Sequence, residues 1–118
     1  MEIIRDPRFT DFLVIKAAEF DAQYAVQGNC PVQAFGAVLG RELYFRARHG
    51  AWSFDVADAQ GILPSDGGAG AEAFYREGDF ENAGWMRPDK AVKLITKCLE
   101  EYTGVHTWVV IHRFALTT

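Results

Sequence analysis

Alternation of apolar and polar positions is clearest between Val32 and Val56. Two tips, Gly40-Arg41 and His49-Gly50, divide this stretch into three segments, in which apolar residues recur at every second position. Such alternation is typical of strands with one buried face, so we predict a three-stranded antiparallel meander. The two turns predict these core-facing pairs: Val38–Leu43, Gly36–Phe45, Ala34–Ala47, Ala47–Trp52, Phe45–Phe54 and Leu43–Val56. A slip of one residue would turn the whole set to the opposite face. Gly36 opposite Phe45 would leave room for the ring.

The N-terminal region has a mixed pattern. Pro7 follows a capping aspartate, and apolar residues then recur at roughly helical spacing, which predicts a helix over Pro7–Glu19. The adjacent Val14 and Ile15 interrupt the helical stripe and leave a strand as the alternative. From Phe20 to Val26 the period changes to two, which predicts a strand.

The second half of the chain contains an irregular segment and then a clear helix. Residues 58–86 show little periodicity, and Pro64–Gly70 has the composition of a flexible loop. From Pro88 onwards, apolar residues form one helical stripe, which predicts a helix over residues 88–102. The members of this stripe are Ala91, Leu94, Ile95, Cys98, Leu99 and Tyr102. The next stretch, Val105–Phe114, is apolar on both faces and predicts a strand covered on both sides.

These elements predict a single α+β domain over residues 1–118. We expect an antiparallel sheet of four to five strands, with the C-terminal amphipathic helix packed on one face and the N-terminal helix on the same face or at an edge. The length of 118 residues, with 49% hydrophobic and 14% aromatic residues, is enough for one core without disulfides.

The charge balance restricts the classes of partner. The net charge is −4 and the sequence pI is near 5.3, without the basic excess of a general nucleic-acid binder, so we expect no nucleic-acid partner. Mild acidity complements a basic protein. No apolar run approaches the length of about 18 residues that a membrane span needs, and charge comes too early in Met1–Asp6 for a signal peptide. We therefore expect a cytoplasmic protein without membrane contact.

Polar and aromatic side chains on the second face of the meander are the main candidate site. They are Phe35, Tyr44, Arg46, Arg48, Ser53 and Asp55, together with Gln33. The predicted register places Gln33 opposite Arg48, Phe35 opposite Arg46, Arg46 opposite Ser53 and Tyr44 opposite Asp55. An ordinary solvated sheet face is the simplest interpretation, because arginine stems cover rings and one carboxylate can pair locally. A binding patch is the alternative, since tyrosine and arginine are enriched at interface hot spots.

The remaining candidates have weaker signals. Cys30 lies in a turn without a neighbouring base, and Cys98 lies on the buried stripe of the helix. His106 and His112 are too far apart along one strand to hold one metal, and His49 is at a turn, so we predict neither a metal site, nor a cofactor, nor catalytic residues. The acidic residues Glu77, Asp79 and Glu81 follow the glycine-rich run and could contact a basic partner, or simply keep a loop solvated.

Two stretches carry a resemblance to known proteins. The first runs from Cys30-Pro31-Val32-Gln33-Ala34 through Phe45-Arg46-Ala47-Arg48 to Trp52-Ser53-Phe54, and the second is Gly84-Trp85-Met86 with the helix that follows. They resemble a family of small uncharacterised bacterial α+β proteins built as a short sheet with a C-terminal helix. Size, acidity and α+β make-up are also similar to those of immunity proteins of bacterial toxin systems, including contact-dependent inhibition.

This resemblance and the charge together suggest a non-enzymatic protein-binding module, such as an immunity protein that neutralises a basic toxin. The alternative is a small-ligand binder or enzyme that uses the Arg/Tyr/Asp face for an anionic ligand, because the planar guanidinium suits carboxylate and phosphate. A concave pocket closed by residues 58–86 would favour the ligand, and a flat face would favour a protein. A homodimer through sheet edges or outer faces is a third interpretation.

Overall fold

A computed structural model describes residues 1–8, 12–28 and 31–105. Within these ranges, seven antiparallel strands form one sheet in the order β1-β2-β3-β4-β5-β6-β7. The strands are β1 (Glu2–Arg5), β2 (Phe12–Ala17), β3 (Ala22–Gln27), β4 (Val32–Val38), β5 (Arg41–Arg48), β6 (Ala51–Val56) and β7 (Phe74–Asp79). One α-helix, α1 (Pro88–Thr103), follows, and short 3₁₀ turns lie at Ala18–Phe20, Pro64–Asp66 and Ala83–Trp85. The α+β class is confirmed, but the prediction of four to five strands is too low.

The predicted N-terminal helix over Pro7–Glu19 is wrong. Its place is taken by β2, which pairs with both β1 and β3. Leu13, Ile15 and Ala17 are buried while the residues between them face the other side, so the true period is two. The β-branched pair Val14 and Ile15 suits a pleated sheet better than a helix, and neighbouring strands supply the pairing that local sequence does not show.

The meander prediction is confirmed in outline and corrected in one register. The β5–β6 pairs Ala47–Trp52, Phe45–Phe54 and Leu43–Val56 are as predicted. The β4–β5 register is shifted by two residues, so Val38 pairs with Arg41, Gly36 with Leu43 and Ala34 with Phe45. The turn lies at Leu39-Gly40, both with positive φ, instead of at Gly40-Arg41. An even shift preserves the faces, which is why the predicted core side chains still lie on the inner face, with Trp52 only partly buried.

Helix α1 covers one face of the sheet, as predicted. It buries Ala91, Val92, Ile95, Cys98 and Leu99 against β3 and the Ala18–Phe20 turn. Proline occupies the first helical turn, and Gly104 ends the helix with φ 76° and an N–H donated to the Glu100 carbonyl at 2.9 Å. The core therefore lies between α1 and the inner face of the sheet, and the opposite face, termed the outer face below, does not contact the helix.

Residues 58–86 contain more structure than the sequence indicated. They include β7, whose Phe74 pairs with Val56, and a turn built around the buried Asp58 carboxylate. This carboxylate accepts backbone hydrogen bonds from Gln60 and Ile62 at 2.9 and 3.1 Å, and from Gly70 at 3.3 Å. Asp58 thus connects both ends of the glycine-rich segment. Most of the strand predicted over Val105–Phe114 lies outside the described residues.

Candidate functional site

The outer face carries a transverse row of mainly apolar side chains. The register aligns one residue from each strand, in the order Ile4, Val14, Ala25, Phe35, Tyr44, Asp55 and Tyr75. Phe35 and Tyr44 are in contact, with ring centroids 5.2 Å apart. Ile4, Phe35 and Tyr75 are 40%, 44% and 40% exposed. Large exposed apolar groups in one row are unusual for a merely solvated face, where polar residues normally alternate with the buried ones.

The predicted site residues are brought together, with altered neighbours. Arg46 faces Ser53 and Tyr44 faces Asp55, as predicted. The two-residue shift of β4 places Phe35 opposite Tyr44 and Gln33 opposite Arg46, so the predicted Phe35–Arg46 and Gln33–Arg48 pairs are wrong. Arg48 lies near the end of β5, where its Nε donates to Nε2 of His49 at 2.6 Å.

Asp55 is a buried residue rather than a solvated one. It has no exposed surface, and its Oδ2 accepts a hydrogen bond from the Ser65 N–H at 2.7 Å. The Pro64–Asp66 turn therefore folds over this part of the outer face. The second oxygen, Oδ1, has no hydrogen-bond partner among the described residues, and neither does the buried Nε of Arg46. Within the described residues, Arg46 and Asp55 do not form the ion pair that a solvated face would allow.

Two open hollows flank Arg46 on the outer face. The first, of ≈470 Å³, is lined by Phe35, Glu42, Tyr44, Arg46, Leu63, Ser65 and Asp66. The second, of ≈350 Å³ and termed the trough below, is lined by Arg46, Arg48, His49, Ala51, Trp52, Ser53, Tyr75 and Glu77. Leu63, Ser65 and Tyr75 line these hollows but were not predicted as site residues. For Tyr75 a signal was present, because Tyr75, Glu77 and Asp79 alternate with Phe74, Arg76 and Gly78.

The three acidic residues predicted as a loop contact lie at and beyond β7, the last strand in the described sheet order. Glu77 and Asp79 project from the outer face of β7, and Glu81 follows the strand. The hydroxyl of Tyr75 donates to Glu77 Oε2 at 2.9 Å. The pKa of Tyr75 is raised, first by its partial burial and then by the hydrogen bond and negative charge of Glu77. The phenol is therefore a donor at neutral pH.

Other candidate groups contribute no reactive centre within the described residues. The turn residue His49 is exposed, and Cys98 is buried in the core, where burial raises the pKa of its thiol to about 12. Cys30, His106 and His112 fall outside the described ranges. Among residues 1–8, 12–28 and 31–105, no three His, Cys, Asp or Glu side chains are grouped to hold a metal ion. No helix in the same ranges is long and apolar enough to cross a membrane.

Comparison with known proteins gives no relative from which a role could be transferred. No protein-family model, no curated protein and no solved structure matches this chain.

Proposed function

We propose that this chain is a non-enzymatic protein-binding module whose contact surface is the outer face of the sheet. The observation that carries the proposal is the exposed row formed by Ile4, Phe35 and Tyr75 together with Tyr44. Interfaces combine an apolar, aromatic centre with a polar rim, and tyrosine and arginine are frequent hot-spot residues. The rows beside it are mainly polar. One contains Gln27, Gln33, Arg46, Ser53 and Glu77 with Phe12 at its end, and the other contains Glu2, Lys16, Gln23 and Glu42 with Ala37 among them.

The dimensions of this face suit a specific interface. Seven strands at about 4.8 Å spacing extend over about 29 Å, and strands of six residues are about 20 Å long. A stable complex buries roughly 800 Å² on each partner, which a sheet face of this size can supply with its projecting side chains.

The partner that best fits the charge is a basic protein. The chain has a net charge of −4, and Tyr75, at one end of the apolar row, is followed on the same face of β7 by Glu77 and Asp79. An acidic rim beside an exposed aromatic ring favours approach of a positively charged surface. An immunity protein that neutralises a basic bacterial toxin is the specific form of this proposal.

Affinity capture from a lysate of the native host, with the wild type and matched variants as baits, tests the proposed protein-binding function. The wild type is compared with Phe35→Ala/Tyr75→Ala, with Glu77→Gln/Asp79→Asn, and with Trp85→Ala as a control. Trp85 is 74% exposed and lies on the 3₁₀ turn that packs against the inner side of β5, away from the outer face. A captured protein is then purified and its affinity for each variant measured by calorimetry at two salt concentrations.

The proposal requires a stoichiometric basic partner whose affinity falls at least about tenfold for the aromatic double variant. The acidic double variant must weaken binding at low salt, and Trp85→Ala must not change it. Absence of a partner, or a partner sensitive only to Trp85→Ala, would overturn it. Sedimentation of the purified wild type as a dimer that the aromatic variant dissociates would instead assign the face to self-association.

A further inference from the structure

The trough on the outer face has a floor of small residues between two walls of opposite charge. Ala51 and Ser53 of β6 form the floor. Arg46 and Arg48 stand on β5 along one side, and Glu77 stands on β7 along the other, because Ser53 pairs with both Arg46 and Glu77. Two strand spacings separate the backbones of the walls, about 9.6 Å.

The basic wall has unused capacity to bind an anion. Neither Arg46 nor Arg48 forms an ion pair with any residue in the described ranges. The buried Nε of Arg46 has no hydrogen-bond partner among the described residues, and the Nε of Arg48 donates to Nε2 of His49. An unpaired buried donor is costly, so an oxyanion that accepts a hydrogen bond from this guanidinium would be favoured.

The acidic wall presents the complementary charge. Glu77 accepts a hydrogen bond from Tyr75 but forms no ion pair with a cation of the described chain. The Tyr75 ring, which is partly exposed, lies next to it as an apolar side wall. A ligand cation at this wall would meet both a carboxylate and an aromatic ring.

We infer that the trough binds a small dipolar ligand, a linear ω-amino acid of about four to six carbons. Its carboxylate lies against Arg46 and Arg48, its methylene chain crosses Ala51 and Ser53, and its ammonium group lies against Glu77 and Tyr75. The volume of ≈350 Å³ is at the small end of ligand sites and suits a molecule of this size. This inference does not require the proposed protein partner, although Tyr75 and Glu77 belong to both the trough and the proposed contact surface.

Titration of the ¹⁵N-labelled full chain with 5-aminopentanoate, followed by NMR, tests the inference. Glycine carries both charges too close together, while pentanoate and pentylamine each carry one charge, so these three compounds are the controls. We expect saturable shifts of the Arg46, Ser53 and Glu77 amides with 5-aminopentanoate, and affinity at least about tenfold lower for each control compound.

Two variants locate the ligand and one serves as a matched control. Arg46→Gln removes the guanidinium, and Ser53→Leu fills the floor while leaving every charge in place; either is expected to weaken binding at least about tenfold. Arg5→Gln removes an exposed arginine from β1, at the other end of the described strand order, and should leave binding unchanged. The ¹⁵N spectra of the variants check that each is folded.

Pentanoate binding as tightly as 5-aminopentanoate would overturn the dipolar assignment. Three results would overturn the site itself. The first is amide shifts confined to other parts of the sheet, and the second is an unchanged affinity of Ser53→Leu for 5-aminopentanoate. The third is amide shifts that do not saturate up to about 50 mM 5-aminopentanoate.

Discussion

Tyr24 of β3 lies directly opposite Gly36 of β4, and the two strands approach so closely there that only glycine fits. A Cβ at position 36 would lie 2.5 Å from the Tyr24 Cα and 2.6 Å from its Cβ, and would also meet the Gln23 carbonyl oxygen. Tyr24 is one of the largest fully buried side chains of the core. The missing side chain of Gly36 therefore serves β3, and not Phe45 as the sequence suggested.

Gly36→Ala is accordingly expected to destabilise the protein. The added methyl group would have to push β3 and β4 apart, at a cost of about 1–3 kcal/mol in the free energy of unfolding. Urea unfolding followed by circular dichroism measures this change. Ala37→Ser, at the exposed neighbouring position, should change stability by less than about 0.5 kcal/mol. Equal stability of Gly36→Ala and wild type would show that the strands can separate there without loss.

The hydrogen bonds to the Asp58 carboxylate predict that the protein loses stability in acid. Backbone N–H groups, foremost that of Ile62, hold the pKa of this carboxyl below its ordinary value of 3.8. A lowered folded-state pKa gives stabilisation that is complete above the ordinary carboxyl range and is lost as the pH falls through the folded-state pKa. Asp58→Asn should lower the melting temperature at pH 7 by about 5 °C and flatten its fall below the ordinary carboxyl range.

The exposed Asp21 offers the matched control for this acid profile. Asp21→Asn keeps a residue type that tolerates the positive φ of 50° at this position, so it should leave both the melting temperature and its pH dependence near the wild-type values. If the melting temperature of Asp58→Asn falls with decreasing pH in the same way as that of the wild type, the acid sensitivity belongs to other carboxyl groups.

Cys98 should resist alkylation as long as the protein is folded. It is 4% exposed, and burial raises the pKa of its thiol from 9.0 to about 12, which lowers the thiolate fraction about a thousandfold. In a Cys30→Ser background, iodoacetamide at pH 8 should modify Cys98 only at the rate of unfolding. Mass spectrometry with and without urea distinguishes this outcome from rapid labelling of the native protein, which would place the thiol at the surface.

The aromatic contact between Phe74 and Tyr102 should couple β7 energetically to α1. Their ring centroids are 5.2 Å apart at an interplanar angle of 72°, and Phe74 also meets Phe54 edge-on at 6.1 Å. A double-mutant cycle with Phe74→Leu and Tyr102→Leu is expected to give a coupling free energy of about 0.5–1.5 kcal/mol. A Phe35→Leu/Tyr102→Leu cycle, with residues on opposite faces of the sheet, serves as the control and should be additive. Zero coupling in the first cycle would mean that the Phe74–Tyr102 contact does not help to hold the helix against β7.

The pattern of apolar and polar residues predicted those elements in which one side of the strand or helix is uniformly apolar and buried. The β5–β6 register followed from Phe45, Phe54 and their neighbours, and α1 followed from its stripe. Strand β7 was missed because its inward positions after Phe74 are Arg76 and Gly78. The Arg76 guanidinium lies 4.2 Å from the Phe74 ring centroid, and Gly78 leaves space for the Trp52 indole, so neither position needs an apolar residue.

The candidate site was only partly predictable, for a similar reason. Alternation on β5 and β6 was enough to bring Arg46, Ser53 and Asp55 onto one face. The burial of Asp55, however, depends on the Ser65 N–H, which belongs to a turn ten residues further along the chain. No local pattern encodes such a tertiary hydrogen bond, and the hollow beside it depends on the same turn.

Each strand of the described sheet pairs only with the strands before and after it in the chain. During synthesis, every hairpin can therefore form as soon as its second strand has emerged from the ribosome, without waiting for a distant partner. Helix α1 emerges after all seven strands and covers an apolar face that is already assembled. A nascent chain that has emerged from the ribosome only as far as Pro88 would thus present a paired but uncovered sheet, and we expect this intermediate to be the one most in need of a chaperone.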